Sequence, residues 1–223
     1  MKHSDLKVIR VLKEDIFGSI ALVEIEGEGR TAICRHYAGA NPLVRFLSYY
    51  LARREAAALR RLSPIAGERI PELIHFGNGI CVRGYIEGEP LRKAMVADEG
   101  YYGSALDILG KMHALGVVHN DLEKPENWLV TKDGAAAIID FQLAFYSKRR
   151  GMLFRLAARE DIRHAVKNKK RYCASELSEE EKGILENKSL VARLVVKYWK
   201  PVYNYITREV LNYSDRKRSK YSR

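Results

Sequence analysis

The sequence predicts an α+β chain with a small, β-rich first part and a mainly helical second part. Two observations predict this fold class. Short apolar runs separated by glycine-containing turns occupy residues 6–37 and 71–86, as expected of strands. Apolar residues recur at helical spacing in residues 41–62 and 101–116, and the pattern beyond residue 150 is helical and basic.

Five short apolar runs predict the strands of the first part. These runs are LKVIRVL, SIALVEIEG, RTAICRHY, PELIHFG and GICVRGYI. The tetrapeptide EGEG, residues 26–29, predicts a hairpin turn between the second and third runs. Gly77-Asn78-Gly79 predicts a turn between the fourth and fifth.

Two helices are predicted from their boundary residues and their apolar spacing. Asn41 suits a helix cap and Pro42 suits the first helical position. The apolar residues that recur at helical spacing after them are Leu43, Leu47, Tyr50, Leu51, Ala58, Leu59 and Leu62. The second helix, residues 101–116, is expected to end at Gly116.

The second part begins after a segment, residues 87–91, that is expected to be an irregular connector. We expect residues 1–86 and residues 87–223 to form two lobes of one domain. A mostly β lobe joined to a mostly α lobe leaves a cleft, and clefts commonly hold ligands.

Cysteine usage and hydropathy exclude several classes of protein. Cys34, Cys81 and Cys173 lie far apart and form no C-x-x-C pair, so neither a zinc site nor a disulfide framework is expected. The first residues lack the continuous apolar segment of a signal peptide, and no run is long enough to span a bilayer. These features predict a soluble, cytoplasmic chain.

The positive charge is concentrated in the last third of the chain. Residues 1–146 contain 18 Lys+Arg and 19 Asp+Glu, whereas residues 147–223 contain 21 and 9. Such asymmetry favours an anionic partner, such as nucleic acid, an acidic lipid surface or a phosphorylated substrate. A solvated basic face that aids solubility explains the charge equally well.

The stretch VVHNDLEKPENWLV, residues 117–130, places polar side chains in a short loop between apolar runs. The runs 128–131 and 135–140 are expected to fold back on each other, which brings Asp140 near Asn127. With Asp121, these side chains offer hard oxygen ligands suited to Mg²⁺, an ion that also needs phosphate oxygens and therefore a nucleotide. A carboxylate that accepts a hydroxyl proton would complete a phosphoryl-transfer site.

The loop motif H-N-D…N, followed by a strand and IIDFQ, resembles the catalytic loop and metal-binding segment of protein-kinase-like enzymes. It is most similar to small atypical bacterial members, namely RIO-type kinases and the kinases of lipopolysaccharide core sugars (Kdo or heptose). The resemblance covers roughly residues 10–165 and implies a two-lobed protein-kinase-like fold. His113 and His164 are expected to be ordinary surface or packing residues.

Carried onto the matching positions, the resemblance implies a role for each polar residue of the loop. Asp121 would be the catalytic base or the carboxylate that orients the acceptor. Asn127 and Asp140 would be the Mg²⁺ ligands, and His119 would brace the loop. Lys124, inside the loop, would be able to point at phosphate.

The resemblance also implies roles outside the loop. Glu55 would pair with the cation of the third strand, which is Arg35 here, and Gly18 would lie over the phosphates of ATP. Asp161 would be the buried aspartate that holds the backbone of the catalytic loop. The hinge beside adenine would contact the base through backbone groups of Gly84, Tyr85 and Glu87.

The sequence departs from the family pattern at four points. Asn127 follows Asp121 by six residues instead of five, which either bulges outward or disturbs the metal ligand. Arg35 replaces a lysine with a larger, forked cation. Gln142 replaces a glycine and removes a permissive backbone position, so a fixed metal ligand is expected. No A-P-E segment is found, which makes peptide recognition doubtful.

These observations favour an ATP-dependent phosphotransferase that uses Mg²⁺ and acts on a hydroxyl group. The favoured acceptor is a lipopolysaccharide core sugar at the inner-membrane face, followed by a protein serine or threonine as in RIO-type kinases. A pseudokinase or nucleotide-binding scaffold is a third alternative. A nucleic-acid binder ranks last, because aromatic stacking motifs are not interleaved with the basic residues.

Basic stretches in the second part predict peripheral contact with an acidic membrane surface. They are SKRR (147–150), KNKKR (167–171) and DRKRSKYSR (215–223). Residues 194–206, which contain Trp199, have the character of an interfacial helix. Packing of the same helix on the core is slightly favoured, and Pro201 would break or kink it in either case.

Overall fold

The computed structural model describes residues 3–42, 44–96, 98–173 and 177–186. These residues form a mixed α+β structure in which a β-sheet on the N-terminal side is followed mainly by helices. This arrangement confirms the α+β class that the sequence predicts. The predictions for residues 194–206 and 215–223 fall outside the described residues.

The N-terminal sheet has five antiparallel strands in the order β1-β2-β3-β5-β4. The strands are β1 (Leu6–Asp15), β2 (Gly18–Ile25), β3 (Arg30–His36), β4 (Leu73–Gly77) and β5 (Ile80–Gly84). Each corresponds to one of the five predicted runs. The predicted turns at residues 26–29 and 77–79 join neighbouring strands, as expected.

The pairing of β3 with β5 places two arginines on one face of the sheet. Arg35 lies opposite Cys81, and Arg83 lies opposite Ile33. Because side chains alternate between the faces of a strand, Arg35 and Arg83 project from the same face. Helix α1 (Arg45–Leu62) packs on that face, where its small Ala52 contacts the cluster around Cys81.

The start of α1 differs from the prediction. Asn41 does not cap the helix and Pro42 is not its first residue, because the helix begins at Arg45, after a turn in which the Val44 N–H donates to the Asn41 carbonyl (3.0 Å). The Asn41 N–H in turn donates to the Ile16 carbonyl (2.9 Å) in the turn between β1 and β2. This tertiary contact outweighs the local capping signal.

The buried stripe of α1 is also narrower than predicted. Ala58, Leu59 and Leu62 are buried, but Leu47 and Tyr50 remain 38% and 46% exposed. The predicted apolar face is therefore fully buried only in the last two turns of the helix. Leu43 lies outside the described residues.

The described residues after Glu87 form two small sheets and four α-helices. These elements are β6 (Glu89–Pro90), α2 (Leu91–Ala94), α3 (Glu99–Ala114), β7 (Val117–Val118), β8 (Trp128–Val130), β9 (Ala136–Ile138), β10 (Phe145–Tyr146), α4 (Met152–Tyr172) and α5 (Glu179–Glu186). Within the segment 87–91, expected to be irregular, residues 87–88 form neither helix nor strand, but Glu89–Pro90 form β6, which pairs with β8, and Leu91 begins α2. Helix α3 ends as predicted, with Gly116 in a left-handed conformation (φ +77°).

The largest apolar core lies in the second part and joins α1 to α3, α4 and the small strands. Its largest fully buried side chains include Leu59, Leu109, Met112, Trp128, Ile138 and Phe141. β8 and β9 bury side chains in this core, and Leu122 anchors the loop before β8 in the same core. The polar loop is thus supported by a rigid frame.

All three cysteines lie in the described part of the chain, where they are buried and no disulfide joins them. Burial raises the pKa of the Cys34 thiol to about 11, although the positive charge of Arg83 acts against the rise. Among the described helices, none is both long enough and apolar enough to cross a membrane.

Candidate functional site

A buried carboxylate on α4 holds the start of the polar loop. Asp161 accepts hydrogen bonds from the backbone N–H groups of His119 (2.8 Å) and Asn120 (3.0 Å). This confirms the expected contact of Asp161 with the loop backbone. His113, which the sequence suggested was an ordinary packing residue, also places its Nε2 3.2 Å from Asp161 Oδ2. Nothing in its local sequence indicated this contact, which depends on how α3 and α4 pack.

His119 links the loop to the segment that carries Asp140. The His119 ring is fully buried, with its Nε2 3.0 Å from the Ile139 carbonyl oxygen. Its ring also packs edge-on against Phe141, with centroids 4.7 Å apart. The predicted bracing position of His119 is therefore supported by contacts on both sides of Asp140.

Asp121 and Asn127 lie in direct contact at the two ends of the loop. The Asn127 side-chain amide donates to the Asp121 carbonyl (2.9 Å) and to the Asp121 carboxylate (3.1 Å). A 3₁₀ turn at Pro125–Asn127 accommodates the six-residue spacing between them. Because the amide nitrogen of Asn127 donates, its oxygen is the atom suited to a cation.

Lys124 lies against the carboxylate of Asp121. Its Nζ is 2.7 Å from Asp121 Oδ2, while most of the Lys124 side chain stays exposed. A lysine in this position partly neutralises Asp121 and restricts its orientation. The expected direction of Lys124, toward phosphate, stays a prediction.

Asp140 reaches the loop through the predicted fold-back of two strands. β8 pairs with β9, and the Ile139 N–H donates to the Asn127 carbonyl (3.0 Å). Asp140 itself has a left-handed backbone (φ +69°, ψ +66°), which is uncommon outside glycine and is typical of functional sites. Gln142 donates to Asp140 Oδ1 at 2.5 Å and so retains the carboxylate in one orientation.

The charge of Asp140 is controlled by its surroundings. Burial by itself would raise the pKa of Asp140, but the positive charges of Arg83 and Arg35 outweigh it. The pKa of this carboxyl group is therefore lowered from its usual range. Asp140 is ionised at neutral pH, as a ligand for a hard cation must be.

Glu55 forms the centre of a buried ion-pair cluster on the face between α1 and the sheet. Arg83 Nη1 lies 2.9 Å from Glu55 Oε1, whereas Arg35 Nε lies 3.8 Å from Glu55 Oε2. The predicted pair of Glu55 with Arg35 is thus present only as the longer of two contacts. Neither contact is aligned as a hydrogen bond.

Arg83 is the site residue that the sequence interpretation missed. Burial would lower the pKa of Arg83, but the negative charge of Glu55 more than compensates, so the pKa is raised. Two arginines share one glutamate here, which leaves an excess positive charge near Asp140. A cation inside the apolar run ICVRG was the available signal, because charged residues are rarely buried without a partner.

Gly18 has a structural reason for its identity. It is the first residue of β2, its φ is +108°, and a Cβ there would collide with the His36 carbonyl oxygen. Only glycine fits that combination of backbone conformation and close approach. Its expected position over phosphates stays a prediction.

In the predicted hinge, the structure already uses one of the backbone groups that were expected to contact adenine. The Gly84 N–H donates to the Glu72 carbonyl (2.9 Å), so this amide is already used within the structure. Tyr85 and Glu87 are exposed, and Ile86 between them packs with Leu129 and Ala137. A buried apolar cluster therefore lies directly beside the connector.

Within the described ranges, no group of three or more His, Cys, Asp or Glu side chains is placed to hold a metal ion. The Asp121 carboxylate lies against the Asn127 amide, and the backbone of Ile139, next to Asp140, donates to the Asn127 carbonyl. The chain matches no protein-family model and no curated protein.

Proposed function

We propose that the protein is an ATP-dependent phosphotransferase with the two-lobed arrangement of protein-kinase-like enzymes. It moves the γ-phosphate of ATP to a hydroxyl group. The observation that carries the proposal is the meeting of Asp121 with Asn127 beside the strand end that bears Asp140. Phosphoryl transfer needs such a site, because it depends on positioning and charge neutralisation.

Each oxygen-bearing side chain has a distinct role in this proposal. Asp121 orients the acceptor hydroxyl and accepts its proton. Asp140 and the amide oxygen of Asn127 would hold Mg²⁺, and their oxygen donors fit this ion. When bound, the ion would supply charge neutralisation for the phosphate oxygens. His119 and Asp161 keep the loop in place through the contacts described above.

The buried arginines provide the positive field that the phosphates require. Arg35 and Arg83 are balanced by Glu55 and the ionised Asp140, so a cation bound to Asp140 would leave their charge to favour an anion in front of them. The planar guanidinium group also suits bidentate contact with phosphate oxygens.

The favoured acceptor is a sugar hydroxyl of an anionic envelope glycolipid, such as a lipopolysaccharide core sugar. The supporting feature is charge, because residues 141–159, directly after Asp140, contain five basic residues and no Asp or Glu. An assay for phosphate on lipid-linked sugar and on protein distinguishes the acceptors. Phosphate on serine or threonine would favour a RIO-like protein kinase instead.

Calorimetric titration with ATP tests the nucleotide site. We expect the wild type to bind ATP more tightly with Mg²⁺, and Asp140→Asn to weaken the Mg²⁺-dependent binding by at least about tenfold. The control is Asp107→Asn, which removes an exposed carboxylate that pairs with Lys111 on α3. A wild type that binds no ATP, or an Asp140→Asn variant that keeps the full Mg²⁺ effect, would contradict the proposal.

A nucleotide-binding module without turnover is the second candidate. It is favoured by the contacts of Lys124 with Asp121 and of Gln142 with Asp140, which occupy both carboxylates. If the protein is a catalyst, Asp121→Asn should reduce phosphate transfer by at least about a hundredfold and leave ATP binding nearly unchanged. Equal, negligible transfer by wild type and Asp121→Asn, with ATP bound by both, would favour the second candidate.

A further inference from the structure

The segment before α4 and the first turn of this helix form a basic surface with an apolar centre. Met152 and Leu153 are 72% and 69% exposed, although both are large apolar side chains. We define the 148–155 surface by these two residues and by the cations around them, which are Lys148, Arg149, Arg150 and Arg155.

The cations of the 148–155 surface are not neutralised by neighbouring acids. Residues 141–159 contain no Asp or Glu, and no described carboxylate forms an ion pair with any of the four. Arg150 donates to the Ala114 carbonyl and Arg155 donates to the Arg150 carbonyl (3.2 Å), so both bind uncharged groups. Their charges remain available to an anionic partner.

We infer that the 148–155 surface docks on an acidic lipid bilayer. The four cations are attracted to anionic headgroups, and Met152 and Leu153 can enter the boundary between headgroups and acyl chains. The start of α4, a helix of 21 residues, adds partial positive charge at the same place. A nucleic-acid backbone would satisfy the cations but would leave both apolar side chains in water.

The contacts of the neighbouring backbone place this surface beside the polar loop. The Ser147 N–H donates to the Gly116 carbonyl (2.9 Å), and β10 pairs with β7, whose last residue precedes His119. Docking therefore brings the start of loop 119–127 toward the bilayer. If the protein transfers phosphate as proposed, this position favours an acceptor hydroxyl that is carried by a lipid. Only this last step rests on the proposed function.

Sedimentation with lipid vesicles tests the docking surface in the full chain and without nucleotide. The probes are vesicles of phosphatidylcholine alone and of phosphatidylcholine mixed with phosphatidylglycerol. We expect binding only to the acidic vesicles. The charge variant Lys148→Gln/Arg149→Gln and the apolar variant Met152→Ser/Leu153→Ser should each lower the partition coefficient by on the order of tenfold.

Two matched variants control for net charge and for apolar surface elsewhere. Arg10→Gln/Lys132→Gln removes two exposed cations from other parts of the chain, and Phe46→Ser removes an exposed aromatic ring from α1. Both should bind nearly as the wild type does. Because all substituted side chains are exposed, circular dichroism should show unchanged folding in every variant.

Two outcomes would overturn the inference. The first is that both surface variants bind vesicles as tightly as the wild type does, which would place any lipid contact elsewhere. The second is displacement by duplex RNA together with full binding by the apolar variant, which would assign the cations to nucleic acid. Neither outcome would alter the ATP titration, so failure of the docking surface and failure of the proposed function are distinguishable.

Discussion

Arg83 changes the balance of charge at the buried face between α1 and the sheet. It lies closer to Glu55 than Arg35 does, and its charge is the first of those that lower the pKa of Asp140 against the effect of burial. Because Coulomb attraction falls with distance, the closer cation stabilises a buried carboxylate more than the farther one does. Arg83, not Arg35, is thus the main partner of Glu55.

Replacement of each arginine by methionine measures this difference. Arg83→Met should lower the free energy of unfolding by about 3–5 kcal/mol, because it leaves Glu55 buried with only the longer contact. Arg35→Met should cost clearly less, because the 2.9 Å contact survives. Urea denaturation of both variants gives the two values.

The double variant Arg83→Met/Glu55→Gln provides the control. Removing the buried negative charge together with its partner should recover part of the stability, and the coupling follows from a double-mutant cycle. A larger loss of stability in Arg35→Met than in Arg83→Met would show that Arg35 is the main partner of Glu55.

At the scale of elements, the strands and turns were predictable and the entry to α1 was not. Alternating apolar runs and glycine turns act locally, so the five strands of the first sheet and the turns at 26–29 and 77–79 follow from the sequence alone. Pro42 is an equally local signal, yet α1 begins at Arg45, and the Asn41 carbonyl accepts from Val44 while its N–H donates to the Ile16 carbonyl. The competing partner lies 25 residues away and leaves no local trace.

Gly18, the first residue of β2, allows a direct test of close packing in the hairpin of β1 and β2. Gly18→Ala should lower the free energy of unfolding by about 1–3 kcal/mol, since it adds a collision with the His36 carbonyl to an unfavourable φ. Gly27→Ala, with φ +82° and no atom within 4 Å of the added Cβ, isolates the cost of the backbone conformation. Urea denaturation compares them, and equal losses would remove the case for close packing at Gly18.

At the scale of the whole molecule, the contacts of the candidate site that could be predicted are those between residues that lie close together in the chain. Asp121 and Asn127 are in contact within one loop, and the fold-back of β8 and β9 joins the backbone beside Asp140 to Asn127. The contacts of Arg83 and His113 could not be predicted, because they depend on strand register and on the packing of separate helices. Charge pattern indicates a basic second part but not which of its cations lie together.

Helix α4 joins two of these features along a single axis. Met152 stands at its first turn and Asp161 lies nine residues later, about 14 Å along the helix at the usual rise per residue. No proline or glycine interrupts residues 152–172, so this stretch has no hinge. Helix α4 is therefore a continuous helix whose first turn is exposed and whose middle binds the loop backbone through Asp161. A load applied at Met152 is therefore transmitted to His119 and Asn120.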